Sequence, residues 1–159
     1  MRRFVSILAL IGLLMLIGEA QASPPAPASG NYGVTAITGF STRAAGPNTI
    51  IEQTTSGTIT GTLSGTFEDE IKAVVHPNGV VGAQGTFTCA CMVAGSSGTL
   101  KLVQVSIGEF AAQAFEGHAV IVSATGDLRG LHGVLELEGT VSPNGFATVS
   151  YSGGIHFEP

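Results

Sequence analysis

The sequence predicts an all-β fold of roughly eight antiparallel strands closed into a barrel. From Tyr32 onward, polar and apolar residues alternate with period two, the spacing at which successive side chains of a strand face opposite sides. Thr, Val, Ile and Gly prevail over helix formers in the same stretch. Pro77-Asn78-Gly79 and Pro143-Asn144-Gly145 supply tight reversals at which Gly accepts a positive φ. Glycine also falls within the strand segments, at Gly61, Gly65, Gly82, Gly85 and Gly153, which permits sharp coiling and leaves interior space. A closed barrel accounts for that better than a flat sandwich.

Before the alternation begins, Met1-Arg2-Arg3 precedes the apolar run Phe4 to Ile17, and Ala20-Gln21-Ala22 follows it. This is the pattern of an export signal cleaved after Ala22; a retained anchor is the alternative. The run is shorter than the ~20 residues of a permanent span, and Glu19 closes it. Residues 1–22 are therefore expected to be a signal peptide. The mature protein is expected to be secreted or periplasmic, with no permanent membrane span after cleavage. Ser23 to Gly30 contains three Pro and no large apolar residue, and is expected to form a flexible lead to a single barrel domain over residues 31–159.

Charge narrows the function classes. Only 11% of the residues are charged and 44% are hydrophobic, which excludes a disordered tail protein. The chain has 6 Lys+Arg and 11 Asp+Glu; removing Arg2, Arg3 and Glu19 leaves four cations against ten carboxylates. Nucleic acid and anionic lipid are poor partners for such a surface.

The strands follow in order. Gly57 to Phe67 reads as one stretch, with Ile59, Leu63 and Phe67 on the core face beside Gly61 and Gly65, and Thr58, Thr60, Thr62, Ser64 and Thr66 on the wet face. The same phase carries Asp69, Ile71, Ala73 and Val75 inward and Glu68, Glu70, Lys72 and His76 outward. After the turn at Pro77, Val80 to Val93 returns with Phe87, Cys89, Cys91 and Val93 on one side, and Ala94 to Gly98 reverses the chain again. Thr99 to Ile107 pairs next. Gly108 to Phe115 is rich in Ala and reads as a loop or short helix. His118 to Ala124 is a strand, Leu135, Leu137 and Val141 alternate with Glu136, Glu138 and Thr140 in another, and Phe146 to Phe157 supplies the last.

Ser123-Ala124-Thr125-Gly126-Asp127-Leu128-Arg129-Gly130-Leu131-His132-Gly133 resembles the T-G-x-[LF]-x-G-x-x-G turn of allene oxide cyclase-like barrels, dirigent-type proteins and related bacterial domains of unassigned function. Gly95-Ser96-Ser97-Gly98-Thr99-Leu100 is similar to the G-x-S-G-T-[LF] element that precedes it in the bacterial members. The resemblance spans about Asn31 to Phe157. It implies an eight-stranded barrel of calycin-type architecture, often oligomeric, whose interior pocket confines a reactive apolar molecule or guides its coupling. Leu128 and Leu131 would plug the barrel end at that turn. No pocket residue of the cyclase matches this chain one by one, so the resemblance carries a fold and no catalytic role.

Few residues suggest chemistry. Asp69 is directed inward by its phase between Phe67 and Ile71; it would serve as an acid or base or orient a ligand, unless a bulge at Glu68-Asp69-Glu70 turns it to water. Phe67, Phe87 and Tyr151 are the large inward residues expected to line a ligand pocket. Cys89-Ala90-Cys91 puts two thiols on one strand face. Regular strand spacing of ~6.6 Å separates them too widely for an unstrained bridge, which favours free thiols over a strained disulfide or a soft-metal site. Glu116-x-His118 and His156-x-Glu158 would give a metal site if adjacent strands brought them together, though exposed surface histidines are the simpler reading. His132 beside the Asp127 turn would be a general base, though a turn-stabilising hydrogen bond is the simpler reading. The chain has no G-x-S-x-G elbow, H-E-x-x-H or phosphate loop. The expectation is an exported barrel that binds a small apolar or amphipathic molecule without a cofactor, possible also as a homo-oligomer. A confinement enzyme of the allene oxide cyclase or dirigent kind and a structural envelope protein are the alternatives.

Overall fold

The computed structural model describes residues 24–158, so the expected export segment, residues 1–22, lies outside it. Eight strands follow one another: β1 (Ala26–Ala45), β2 (Asn48–Gly61), β3 (Leu63–Val75), β4 (Val80–Val93), β5 (Ser96–Glu109), β6 (Ala114–Ala124), β7 (Leu131–Val141) and β8 (Ala147–Phe157). Each pairs antiparallel with the next, and β1 pairs with β8 to close the barrel.

From Ala26 on, the segment read as a flexible lead belongs to the barrel. Ala26 to Gly33 pairs with Ile155 to Thr148, and Ala28 is buried. Composition misleads here because the residues need only be small and extended. Pro27 has β8 on one side alone, since pairing to β2 starts at Gly30, so its missing N–H interrupts no second ladder.

Gly57 to Phe67 is likewise not one strand. The chain reverses at Thr62, where Gly61 takes φ +106 and leaves room for the Ser29 carbonyl that a Cβ would strike. The reversal preserves parity, so Ile59, Leu63 and Phe67 all remain inside, whereas Gly61 itself is exposed. Gly108 to Phe115 is a hairpin turn rather than a helix: β5 continues to Glu109, Gln113 N–H donates to the Glu109 carbonyl at 3.0 Å, and β6 starts at Ala114.

The barrel has a solid end and a hollow end. At the solid end Leu63, Leu100, Leu128 and Leu131 are fully buried, Leu128 coming from a 3-10 turn at Gly126–Leu128 that covers the opening. The Tyr151 hydroxyl accepts the Leu63 N–H at 2.9 Å and lies 3.1 Å from the Thr60 carbonyl, bonding the β2–β3 reversal to β8.

Cys89 and Cys91 form a disulfide in this half, which corrects the expectation of free thiols. Their Cα atoms are 5.3 Å apart. That is shorter than the ~6.6 Å of a regular strand, so the chain is locally contracted. Gly65 lies opposite Cys91 on β3, where the Ala90 carbonyl occupies the place of the Cβ that Gly65 lacks. The bridge leaves neither sulfur as a thiolate for a metal. The native protein is expected to titrate as thiol-free and to weigh two hydrogens less than its reduced form; a full thiol titration of unfolded, unreduced protein would contradict the bridge.

Candidate functional site

Halfway along the barrel, three aromatic rings close the interior. Tyr32 lies with ring centroids 5.4 Å from Phe67 and 5.2 Å from Phe87, and Phe67 stacks on Phe87 at 4.5 Å. Towards the β3–β4 and β5–β6 turns, small residues are interspersed among the branched apolar ones on the inward face. Ala73 and Ala83 face each other across β3 and β4, and Gly108 and Ala147 line the wall further round. The result is a cavity of about 610 Å³ with walls of Ile71, Val75, Val81 and Leu137. Its mouth lies between the β5–β6 turn, where Phe110 is 62% exposed, and the β7–β8 turn. Gln53 Nε2 donates to the Gly145 carbonyl at 3.2 Å and ties that second turn to β2 across the rim.

The floor is polar. Asp69 is 2% exposed, and Gln104 Nε2 from β5 donates to both of its carboxyl oxygens at 2.8 Å. Thr55 sits directly across from Asp69 on β2; its hydroxyl is enclosed and has no hydrogen-bond partner among the described residues. Tyr32 completes the set from β1. Burial pushes the Asp69 carboxyl up to about 7, the Gln104 hydrogen bond opposes this, and the neighbouring Glu70 charge adds to it. Burial, and then the Asp69 charge, also raises the Tyr32 phenol, which stays protonated. A carboxyl that changes charge near neutrality therefore faces an apolar chamber.

The inward direction read for Asp69 is what the structure has, with no bulge: Glu68, Asp69 and Glu70 pair without interruption to β2 and β4. Phe67 and Phe87 lie beneath the floor rather than in the cavity wall, and Tyr151 is held at the solid end, so none of these three lines the cavity. Tyr32, Thr55 and Gln104 take that place. Gln104 was legible in principle, since it shares a phase with Leu100 and Leu102 on an apolar face. His156 and Glu158 do meet a neighbouring strand, though not Glu116 or His118. Glu158 lies 3.4 Å from His132 Nε2 and 3.6 Å from His156 Nε2 on the outer wall. Among the described residues no group of three His, Cys, Asp or Glu is arranged to hold a metal.

The fold has solved counterparts. A protein of unknown function of the DUF3224 family from Shewanella oneidensis MR-1 matches with a TM-score of 0.62 at 19% identity, over 86% of this chain and 99% of that one. The pterocarpan synthase dirigent protein PsPTS1 matches with a TM-score of 0.52 at 15% identity, over 87% and 99%. A second, GePTS1, matches with a TM-score of 0.52 at 13% identity, over 99% and 100%. No protein-family model and no curated protein matches the sequence. The chain thus has the dirigent-like barrel fold that its glycine-rich turn resembles, and similarity at this level carries the fold alone.

Proposed function

We propose that this protein is an exported barrel that binds one small amphipathic molecule in the chamber between the aromatic layer and the two exposed turns. The cavity carries this reading: about 610 Å³ of apolar wall ending on a few convergent polar groups is the usual form of a small-molecule site. The Thr55 hydroxyl, enclosed across from Asp69 and without a hydrogen-bond partner among the described residues, adds a further polar group at that end.

A neutral solvatochromic dye is expected to bind the folded protein saturably. Ala83→Phe is expected to weaken that binding at least tenfold while the β-type circular dichroism persists, since the new ring would project between β3 and β4 into the chamber. A native protein that binds no apolar probe would remove this reading. An enzyme is the second reading, favoured by the Asp69 carboxyl poised near neutrality in the chamber and by two structural neighbours named as pterocarpan synthases. Turnover of a reactive apolar substrate that is lost on Asp69→Asn would promote it.

A further inference from the structure

We infer that the molecule held in the chamber carries a protonated amine at one end, inserted against Asp69, Thr55 and Gln104; this rests on the binding reading above. The charges of the cavity point this way. Among the described residues, Asp69 and Glu109 are the only ionisable acids or bases that line it apart from the Tyr32 phenol, and no Lys, Arg or His does. A fatty acid or other anionic amphiphile would put its charge beside a buried carboxyl with no cation to compensate.

Hydrogen-bond capacity gives the same answer independently. Gln104 Nε2 is committed to the Asp69 oxygens, so the free capacity of the floor is mainly that of acceptors: the carboxylate, Thr55 Oγ1 and Gln104 Oε1. The Thr55 and Tyr32 hydroxyls are the remaining donors. An ammonium group has three N–H donors and no acceptor, which fits that floor, and its bond to Asp69 is charge-assisted. An alcohol would also bond there, yet it leaves the carboxylate charge unneutralised.

The depth sets the shape of the ligand. From Val75 at the mouth to Asp69 is six residues of β3, ~20 Å along the strand and about 15 Å along the axis at the usual barrel tilt. An elongated body would thus lie along the apolar wall with its amine at the floor, and Glu109 near the rim would attract the cation as it arrives. Tyr32 from β1, Thr55 from β2 and Gln104 from β5 face Asp69, and its charged neighbour Glu70 is another carboxylate, so among the described residues lining the cavity no Lys, Arg or His competes with the ammonium for Asp69.

The test compares decylamine, decanol and decanoate, each below its self-association concentration, by displacement of the neutral dye and by calorimetry on the full mature chain at pH 8. The expected result is that the amine binds at least tenfold more tightly than the alcohol, with the carboxylate weakest. Asp69→Asn should cut the amine-to-alcohol ratio at least tenfold, and Thr55→Val should cut it severalfold; circular dichroism verifies that each variant is folded, and either folded variant suffices. If the dye binds while alcohol or carboxylate equals the amine, or if the folded variants keep the native ratio, the amine inference fails and the cavity reading stands. If neither dye nor any amphiphile binds, the cavity reading fails and takes the inference with it.

Discussion

Between pH 4 and pH 7, Asp69→Asn is expected to gain stability relative to the native protein by on the order of 4 kcal/mol, and above pH 7 the gain should stay level. The Asp69 carboxyl titrates at about 7 in the folded barrel against an ordinary value of 3.8. Below the lower value, folded and unfolded chains are both protonated there, and the residue has no pH-dependent effect. As pH rises, the unfolded chain ionises while the folded one resists, so ionisation favours unfolding until the folded carboxyl also loses its proton near 7. Asn keeps a carbonyl for Gln104 Nε2 and adds an N–H donor beside the unpartnered Thr55 hydroxyl, without a charge to desolvate. Urea unfolding of both proteins at one-unit pH steps from 4 to 8 measures the difference. Two parallel pH profiles would mean that Asp69 is not held in a desolvated site. An amine bound at Asp69 should narrow the difference at pH 8, because it stabilises the charged native form alone.

Asp69 also shows what strand periodicity does and does not convey. Its inward direction was legible because parity passes unbroken through the one-residue reversal at Thr62, which a reading of Gly57 to Phe67 as a single strand leaves intact. Parity says which side a residue faces, but it is silent on the level along the barrel axis. Tyr32 and Tyr151 are both inward aromatic residues, yet one borders the chamber and the other anchors the solid end. That distinction depends on register: Ala73 meets Ala83 only once β3 and β4 are aligned, and two small residues at one level make the wall recede. The disulfide was hidden because parity assumes regular strand spacing, whereas the Cα atoms of Cys89 and Cys91 stand only 5.3 Å apart. The lead at Ala26 to Gly30 was hidden because its partner, β8, is the element most distant in sequence.

The division into a solid and a hollow half gives the other large effect. Leu100→Ala is expected to destabilise the protein by about 3 kcal/mol, within the 2–5 kcal/mol of fully buried leucines, lowering Tm by roughly ten degrees. Leu100 is 0% exposed and outside the cavity wall, so its loss opens a void that the surrounding barrel can only partly close. Ile71→Ala removes a similar volume from a residue that already borders the chamber. Its neighbours on that side are open space, so the variant forfeits fewer contacts and should cost about 1 kcal/mol, mainly the transfer free energy of the part that is buried. Binding should respond in the opposite order: dye affinity stays within about twofold in Leu100→Ala, whereas Ile71→Ala, with part of the wall gone, loses severalfold. Thermal unfolding and dye titration of the two variants together test whether stability resides at the leucine-filled end and recognition at the other. A larger stability loss from Ile71→Ala would mean that the chamber closes on itself in solution, and the binding reading would lose its site.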